Sequence, residues 1–222
     1  MSGIGTASLR GLRALGAALG LLLAVYVPTF ALVAALHLSI AHAVPVIIVV
    51  STVLALALMR VLQGRAGLTF ADFGLRWPKW RDLVVAIVIA VPVATVVNVL
   101  LSPAHESGPL AGLNLAPALA LLYFGLGAPL QEELIFRGLL QTATTRVLAV
   151  PGSATARTGL AAIAIAATLF ALAHLAVGPW TAAAALVLGL LAGEWRRRSA
   201  SLIPAIAIHA IFNLPGLLVA IR

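Results

Sequence analysis

Apolar runs long enough to cross a lipid bilayer follow one another along most of this chain. About 18 consecutive apolar residues predict a transmembrane helix, and several runs here reach that length. Hydrophobic residues make up 63% and charged residues 9% of the 222 residues, which is more apolar surface than a soluble domain of this size can bury. We therefore predict an all-α, polytopic membrane helix bundle of about seven transmembrane helices, with eight as the alternative, in one integral membrane domain over residues 1–222.

The basic residues orient the spans, which we predict at about 14–36, 44–59, 82–101, 116–146, 159–177, 181–195 and 201–221. Arg10 and Arg13 precede the first span, and further basic residues follow spans two, four and six. The intervening loops, 37–43, 102–115 and 178–180, contain no lysine or arginine. This positive-inside distribution predicts a cytoplasmic N-terminus. The net charge of +8 is therefore an orientation signal, and no nucleic-acid partner is expected.

The residue usage points to a compartment and excludes one class of chemistry. Arginine outnumbers lysine, and alanine and leucine dominate the spans, which favours a GC-rich bacterial genome, and we expect the bacterial inner membrane as the location. The chain has no cysteine, so disulfides, thiol catalysis and cysteine-ligated metals are excluded. The longest polar interruption runs from Arg60 to Asp82. Its segment 70–81 mixes aromatic and basic residues, which predicts an interfacial elbow at the headgroup level.

Two of the six acidic residues, Glu132 and Glu133, are adjacent within the fourth span. An ionisable group at membrane depth costs roughly 2.5–3.5 kcal/mol on insertion scales and so indicates a function. Glu133 and Arg137 are four residues apart, the spacing at which a helical carboxylate meets a guanidinium. We predict that this pair forms, while Glu132, about 100° away around the helix, projects elsewhere as a general acid or base. A helix end close to water is the alternative explanation of both carboxylates.

Polar side chains also interrupt spans five and seven. His174 follows Phe170 by one helical turn, although a lone histidine in a membrane helix often only bonds to a neighbouring helix. His209 and Asn213 are four residues apart and share one face of span seven. They can donate jointly to one oxygen, as an oxyanion hole requires, or they can form interhelical hydrogen bonds.

These residues can converge into one polar cluster that activates water and stabilises a tetrahedral intermediate. Two histidines and one glutamate are also a common catalytic zinc set. The spacing alone therefore leaves open a metal site formed by Glu132, His174 and His209.

Three motifs in order resemble those of the CPBP intramembrane endopeptidases, a family that includes the type II CAAX prenyl proteases. They are Glu-Glu-x-x-x-Arg at 132–137, Phe-x-x-x-His at 170–174 and His-x-x-x-Asn at 209–213. The resemblance covers about residues 115–220, the predicted catalytic core, and nothing departs from the motif pattern.

The resemblance implies a glutamate-dependent intramembrane protease whose substrate is a membrane-bound peptide or protein. Glu132 would activate the attacking water with help from His174, and His209 and Asn213 would stabilise the oxyanion. The supporting residues would be Glu133, Arg137 and Phe170. No metal or other cofactor is expected, with the zinc-dependent site described above as the alternative.

Two function classes other than a protease remain open from the sequence. A non-enzymatic membrane scaffold or bacteriocin-immunity factor would keep the polar cluster for packing alone. A proton-coupled carrier would use Glu132 and the histidines as a relay. Carriers of that type usually contain duplicated halves, and the sequence shows no internal repeat.

The predicted span boundaries place the site residues at different depths. Span four, at about 31 residues, is too long for one straight crossing. If its membrane part ends near Arg137, Glu132 and His174 differ in depth by on the order of 10–15 Å. A bend at Pro129, a surface turn at 157–163 or incorrect boundaries would remove the disagreement.

Overall fold

The computed structural model describes residues 3–100, 116–149 and 156–220. The predicted loop 102–115 and the terminal Arg222 lie outside the described residues. Within those ranges the chain forms seven helices and no β-strand, which confirms the predicted all-α bundle. They are α1 (Gly3–Ala35), α2 (Ile40–Ala66), α3 (Trp80–Thr95, continued by a π-helical stretch Val96–Leu100), α4 (Pro117–Leu148), α5 (Ala156–Ala173), α6 (Pro179–Ser199) and α7 (Ile203–Ala220).

Five of these helices are long and apolar enough to cross a membrane, and they correspond to predicted spans one to five. The crossing segments are Leu9–Ala35, Ile40–Ala66, Trp80–Val99, Pro117–Leu148 and Ala156–Ala173. Their outer faces carry large exposed apolar side chains such as Leu23, Val88 and Leu172, which suit contact with lipid. The chain is therefore an integral membrane protein. Spans six and seven coincide with α6 and α7, which are less apolar or shorter.

Helix α4 carries the predicted glutamates and departs twice from regular α-helical winding. Its π-helical stretches are Leu121–Gly127 and Leu134–Leu140. The first ends just before Pro129, whose missing N–H and bulky ring disturb the preceding turn; a local π adjustment re-satisfies the freed carbonyls. The second begins directly after Glu133, and all seven of its residues are buried. Single π turns in α-helices are frequent at functional sites.

Small residues let the helices beside α4 approach one another closely. Among the described helices, α5 and α6 make the most extensive contact. A Cβ added to Gly189 of α6 would lie 2.8 Å from the Cβ of Ala167, and one added to Gly193 would lie 2.9 Å from Ile163. The Gly189–Gly193 spacing thus serves close helix packing, in agreement with the small-xxx-small pattern of membrane helices.

The elbow, residues 70–81, is docked on one end of the bundle, and its last two residues begin α3. Phe73 is fully buried, and three backbone carbonyls accept hydrogen bonds from other parts of the chain. Asp72 O accepts from Arg196 Nη2 at 2.7 Å, Gly74 O from the amide of Leu202 at 2.9 Å and Arg76 O from the Ser201 hydroxyl at 2.6 Å. The elbow therefore ties the C-terminus of α6 to the start of α7.

Gly74 of the elbow permits its contact with α6. It has φ +86°, a left-handed conformation that favours glycine, and a Cβ there would collide with the Arg196 guanidinium. The carboxylate of Asp72 lies outside this contact and accepts hydrogen bonds from the amide and the hydroxyl of Thr69, both at 2.7 Å. These bonds, that of the backbone amide first, lower the pKa of Asp72 below its ordinary value.

Candidate active site

The two adjacent glutamates of α4 lie in different surroundings, as the 100° step around the helix predicts. Glu133 is fully buried, and its Oε1 lies 2.8 Å from Nη1 of Arg137, which is itself buried. The predicted ion pair is therefore present. Glu132 retains 20% of its side-chain exposure and points towards two histidines. One carboxylate is compensated inside the helix bundle, and the other keeps a partly exposed side chain whose Oε2 is buried without a hydrogen-bond partner in the described part of the chain.

A contact that the sequence did not predict joins Glu133 to α7. Nδ1 of His209 lies 2.8 Å from the same Oε1 atom that accepts from Arg137. A carboxylate accepts from the protonated Nδ1, which leaves Nε2 of His209 directed away from Glu133. Glu133 therefore orients His209 and also compensates the positive charge of Arg137. The only signal in the sequence was a carboxylate that has to be compensated at membrane depth.

Nε2 of both histidines converges on one oxygen of Glu132. Oε2 of Glu132 lies 3.6 Å from Nε2 of His209 and 4.0 Å from Nε2 of His174. The ring of His174 is oriented by its Nδ1–H, which donates to the carbonyl of Phe170 at 2.8 Å because a carbonyl can only accept. Two helices, α4 and α7, and the turn that follows α5 thus contribute one polar atom each to a common point.

The structure does not place Glu132 and His174 at different levels, because α4 continues well beyond Arg137. Helix α4 continues to Leu148, 16 residues beyond Glu132, while His174 lies 18 residues after the start of α5 at Ala156. At 1.5 Å per residue these offsets are about 24 and about 27 Å, so the two side chains reach a similar level. Helix α5 ends at Ala173, and His174 begins the turn that follows it.

Phe170 forms an apolar wall beneath this polar point. Its ring is fully buried and meets the rings of His174 and His209 edge-on, with centroid distances of 4.5 and 5.7 Å. Phe136 packs edge-on against the same ring at 4.9 Å, and Cζ of Arg137 lies 4.5 Å from its centroid. Aromatic and cation–π contacts of this kind restrict the rings to one arrangement. Phe170 therefore lies against both histidines, and its predicted supporting role stays a prediction.

Asn213 lies one turn beyond His209 on α7, but its side chain bonds to a different part of α4 from that of His209. Its Nδ2 donates to the carbonyl of Phe124, in the first π-helical stretch of α4, at 2.9 Å. An asparagine amide carries two N–H groups, so this bond fixes the side chain and uses one of them. The predicted joint donation by His209 and Asn213 to one oxygen stays a prediction.

One polar contact near the glutamates comes from outside the three motifs. Nε2 of Gln131 donates to the hydroxyl of Tyr26, on α1, at 3.1 Å. Tyr26 stacks on Phe30 of the same helix, with ring centroids 5.8 Å apart. Our interpretation of the sequence missed this link, whose only trace was a tyrosine within a mostly apolar first span. The N-terminal half of the chain therefore reaches the residue that precedes Glu132.

The donor atoms of the zinc alternative are slightly too far apart for a closed metal site. Ligands about 2.0–2.1 Å from a tetrahedral zinc lie roughly 3.3 Å from one another. The corresponding separations from Glu132 Oε2 are 3.6 Å to His209 and 4.0 Å to His174. Among the residues that the structure describes, no group of three or more acidic or histidine side chains is arranged to hold a metal. The same three residues would be the ligands if the donors moved closer by several tenths of an ångström.

A comparison with known families places this cluster in context. Residues 114–215 match a family model described as Type II CAAX prenyl endopeptidase Rce1-like. The matched segment contains all three motifs, and the match is consistent with the predicted resemblance to the CPBP family. It supports an intramembrane protease role in general terms. No curated protein and no solved structure matches the chain.

Proposed function

We propose that this chain, whose residues 114–215 carry the Rce1-like endopeptidase match, is an intramembrane endopeptidase that hydrolyses a peptide bond of a membrane-associated peptide or protein. The observation that supports this most is the convergence of Glu132 Oε2 with Nε2 of His174 and His209. A carboxylate flanked by two imidazole nitrogens is a suitable environment for activating water.

The separations at this point suit one water molecule. Distances of 3.6 and 4.0 Å are too long for direct hydrogen bonds, but a water about 2.8 Å from each group would bridge them. Glu132 and His174 retain 20% and 25% side-chain exposure, whereas Oε2 of Glu132 is buried, so a substrate would reach the water from the exposed edge of these two side chains. We assign Glu132 as the general base and His174 as the group that holds and polarises the water.

In the first step, the water oxygen forms a bond to the carbonyl carbon of the scissile peptide. Glu132 takes one proton of that water, and the π electrons of the carbonyl move onto its oxygen to give a tetrahedral oxyanion. When the carbonyl re-forms, the C–N bond breaks. The proton held by Glu132 passes to the leaving nitrogen, so one water is consumed and a new carboxyl and a new amino terminus result.

Donors on α7 would stabilise the oxyanion. The Nδ1–H of His209 is engaged by Glu133, so donation from Nε2 requires the doubly protonated ring. We assign the second N–H of Asn213 as the other donor, since the bond to Phe124 uses only one of its two N–H groups. Loss of one oxyanion-hole donor typically costs about 10²–10³ in kcat. We assign Glu133 and Arg137 as positioning residues that act through His209.

No metal enters this sequence of steps, and chelation provides the check on that expectation. Cleavage by protein treated with a chelator and then freed of it should equal that of untreated protein. A loss that zinc restores would instead favour the alternative with Glu132, His174 and His209 as ligands. We further propose that the enzyme lies in a bacterial inner membrane with a cytoplasmic N-terminus, and that nucleic acid is not a partner.

The decisive experiment compares the protein termini in membranes of cells that express the wild type or Glu132→Gln at equal levels. New termini found only with the wild type would demonstrate proteolysis and identify the substrate. Glu194→Gln is the matched control, because Glu194 is bound by Arg197 and Arg198 on α6, outside the cluster. Identical termini in all three strains, with every variant folded in the membrane, would refute the protease assignment and favour a scaffold or immunity factor.

A further inference from the structure

The elbow presents its outer side chains from a fixed backbone. Its carbonyls are bonded to α6 and to the residues just before α7, its Phe73 is buried in the bundle, and Gly74 sits directly against Arg196. A loop tied in this way does not fold back to cover its own apolar groups. Whatever lies on its outer surface is therefore available to the surroundings.

Two tryptophans dominate that outer surface. Trp77 is 86% exposed and Trp80 is 78% exposed, the highest values among the large hydrophobic side chains that the structure describes. Unlike the lipid-facing leucines and valines of the spans, an indole ring carries an N–H that seeks a polar partner. Tryptophan is enriched where a membrane meets water, because one part of the ring prefers hydrocarbon and the other a polar layer.

Basic side chains alternate with these rings. Arg76, Lys79 and Arg81 are all exposed, and they flank Trp77 and Trp80 in the chain. Arg196 of α6 also lies close to the elbow, and its guanidinium carries the same positive charge as Arg76.

Two carboxylates lie nearby and do not cancel this charge. That of Asp72 is bonded to Thr69, and Asp82 lies in the first turn of α3, which leaves three exposed cations against two acids. The face is thus both aromatic and positively charged.

We propose that the elbow binds the phosphate-bearing headgroups of anionic phospholipids in the leaflet where it lies. Arg76, Lys79 and Arg81 contact the phosphates, and the rings of Trp77 and Trp80 lie in the headgroup layer. Each basic residue near an anionic membrane surface favours it by roughly fivefold. Three residues on one rigid segment therefore give a measurable selection of anionic over neutral lipid. This binding does not depend on whether the chain is a protease.

Fluorescence quenching by brominated lipids tests the proposal. The protein is reconstituted in bilayers of phosphatidylcholine and phosphatidylglycerol, with bromine on one lipid or on the other. The fluorescence of the elbow is obtained by subtracting the fluorescence of the Trp77→Phe, Trp80→Phe double variant from that of the wild type. This subtraction removes the contribution of Trp180 and Trp195. We expect brominated phosphatidylglycerol to quench this signal more strongly, corresponding to a severalfold enrichment over its share of the bilayer.

Two triple variants separate a local site from overall charge. Arg76→Gln, Lys79→Gln, Arg81→Gln should abolish the enrichment. Arg13→Gln, Arg65→Gln, Arg157→Gln removes the same charge from other exposed positions on the same predicted side and should preserve it. Equal quenching by both brominated lipids in the wild type would overturn the proposal. So would an equal loss in the two triple variants, because net charge alone would then explain the enrichment.

Discussion

Replacement of Glu133 by leucine should destabilise the protein strongly, because it leaves two buried groups without a partner. Glu133 Oε1 accepts from Arg137 at 2.8 Å and from His209 at 2.8 Å, and none of the three side chains is more than 4% exposed. Removal of one member of a buried ion pair costs about 3–5 kcal/mol. At about 2–4 °C per kcal/mol for a chain of this size, Tm should fall by about 6–20 °C.

A second variant distinguishes the stability effect from the positioning of His209. Glu133→Leu, Arg137→Met replaces the whole ion pair by apolar groups of similar length, so most of the lost Tm should return. His209 still lacks its acceptor, and cleavage should remain as low as in the single variant. Tm is measured by thermal unfolding in detergent, and cleavage by the appearance of the new termini.

Two results would refute this reasoning. An unchanged Tm in Glu133→Leu would mean that the buried pair contributes little to stability. Recovery of cleavage together with Tm in the double variant would show that Glu133 only neutralises Arg137. In that case the contact between Glu133 and His209 has no part in the reaction.

Three further predictions concern topology, packing and pH. In this cysteine-free chain, Ser39→Cys should react with an impermeant thiol reagent from outside the cell, and Arg65→Cys only after the membrane is opened; the reverse pattern would invert the proposed orientation. Gly189→Ala should lower Tm by an amount equivalent to about 1–3 kcal/mol, because the new Cβ would lie 2.8 Å from that of Ala167. Because the pKa of Asp72 is lowered in the folded protein, its carboxylate stabilises the fold at pH values above its ordinary pKa of about 3.8. This stabilisation is lost as the pH falls through the lower pKa of the folded state. The Tm of Asp72→Asn should therefore lie slightly below that of the wild type at neutral pH and meet it in strong acid; a constant difference across pH would contradict the cause given.

Local helix geometry explains which parts of the site were predictable. Glu133 and Arg137 meet because residues four apart share one face of any helix, and this holds wherever that helix packs. The same rule separates Glu132 from its neighbour and places His209 and Asn213 on one side of α7. The apolar runs likewise identified the helices, because length and hydropathy are properties of each segment alone.

Contacts between helices were decided by the tertiary structure. The bond from His209 to Glu133, the partner of Asn213 and the link from Gln131 to Tyr26 each depend on how far two helices slide and rotate against one another. The depth of His174 relative to Glu132 depended on where α4 ends. The sequence did not show this end, because the charged Arg137 is compatible with a helix end that lies 11 residues before the observed one at Leu148. A sequence determines the direction of a side chain around its own helix, but the offset between helices is set by packing over their whole length. The sequence therefore determined which residues can take part, and the packing of the bundle decided which of their atoms meet.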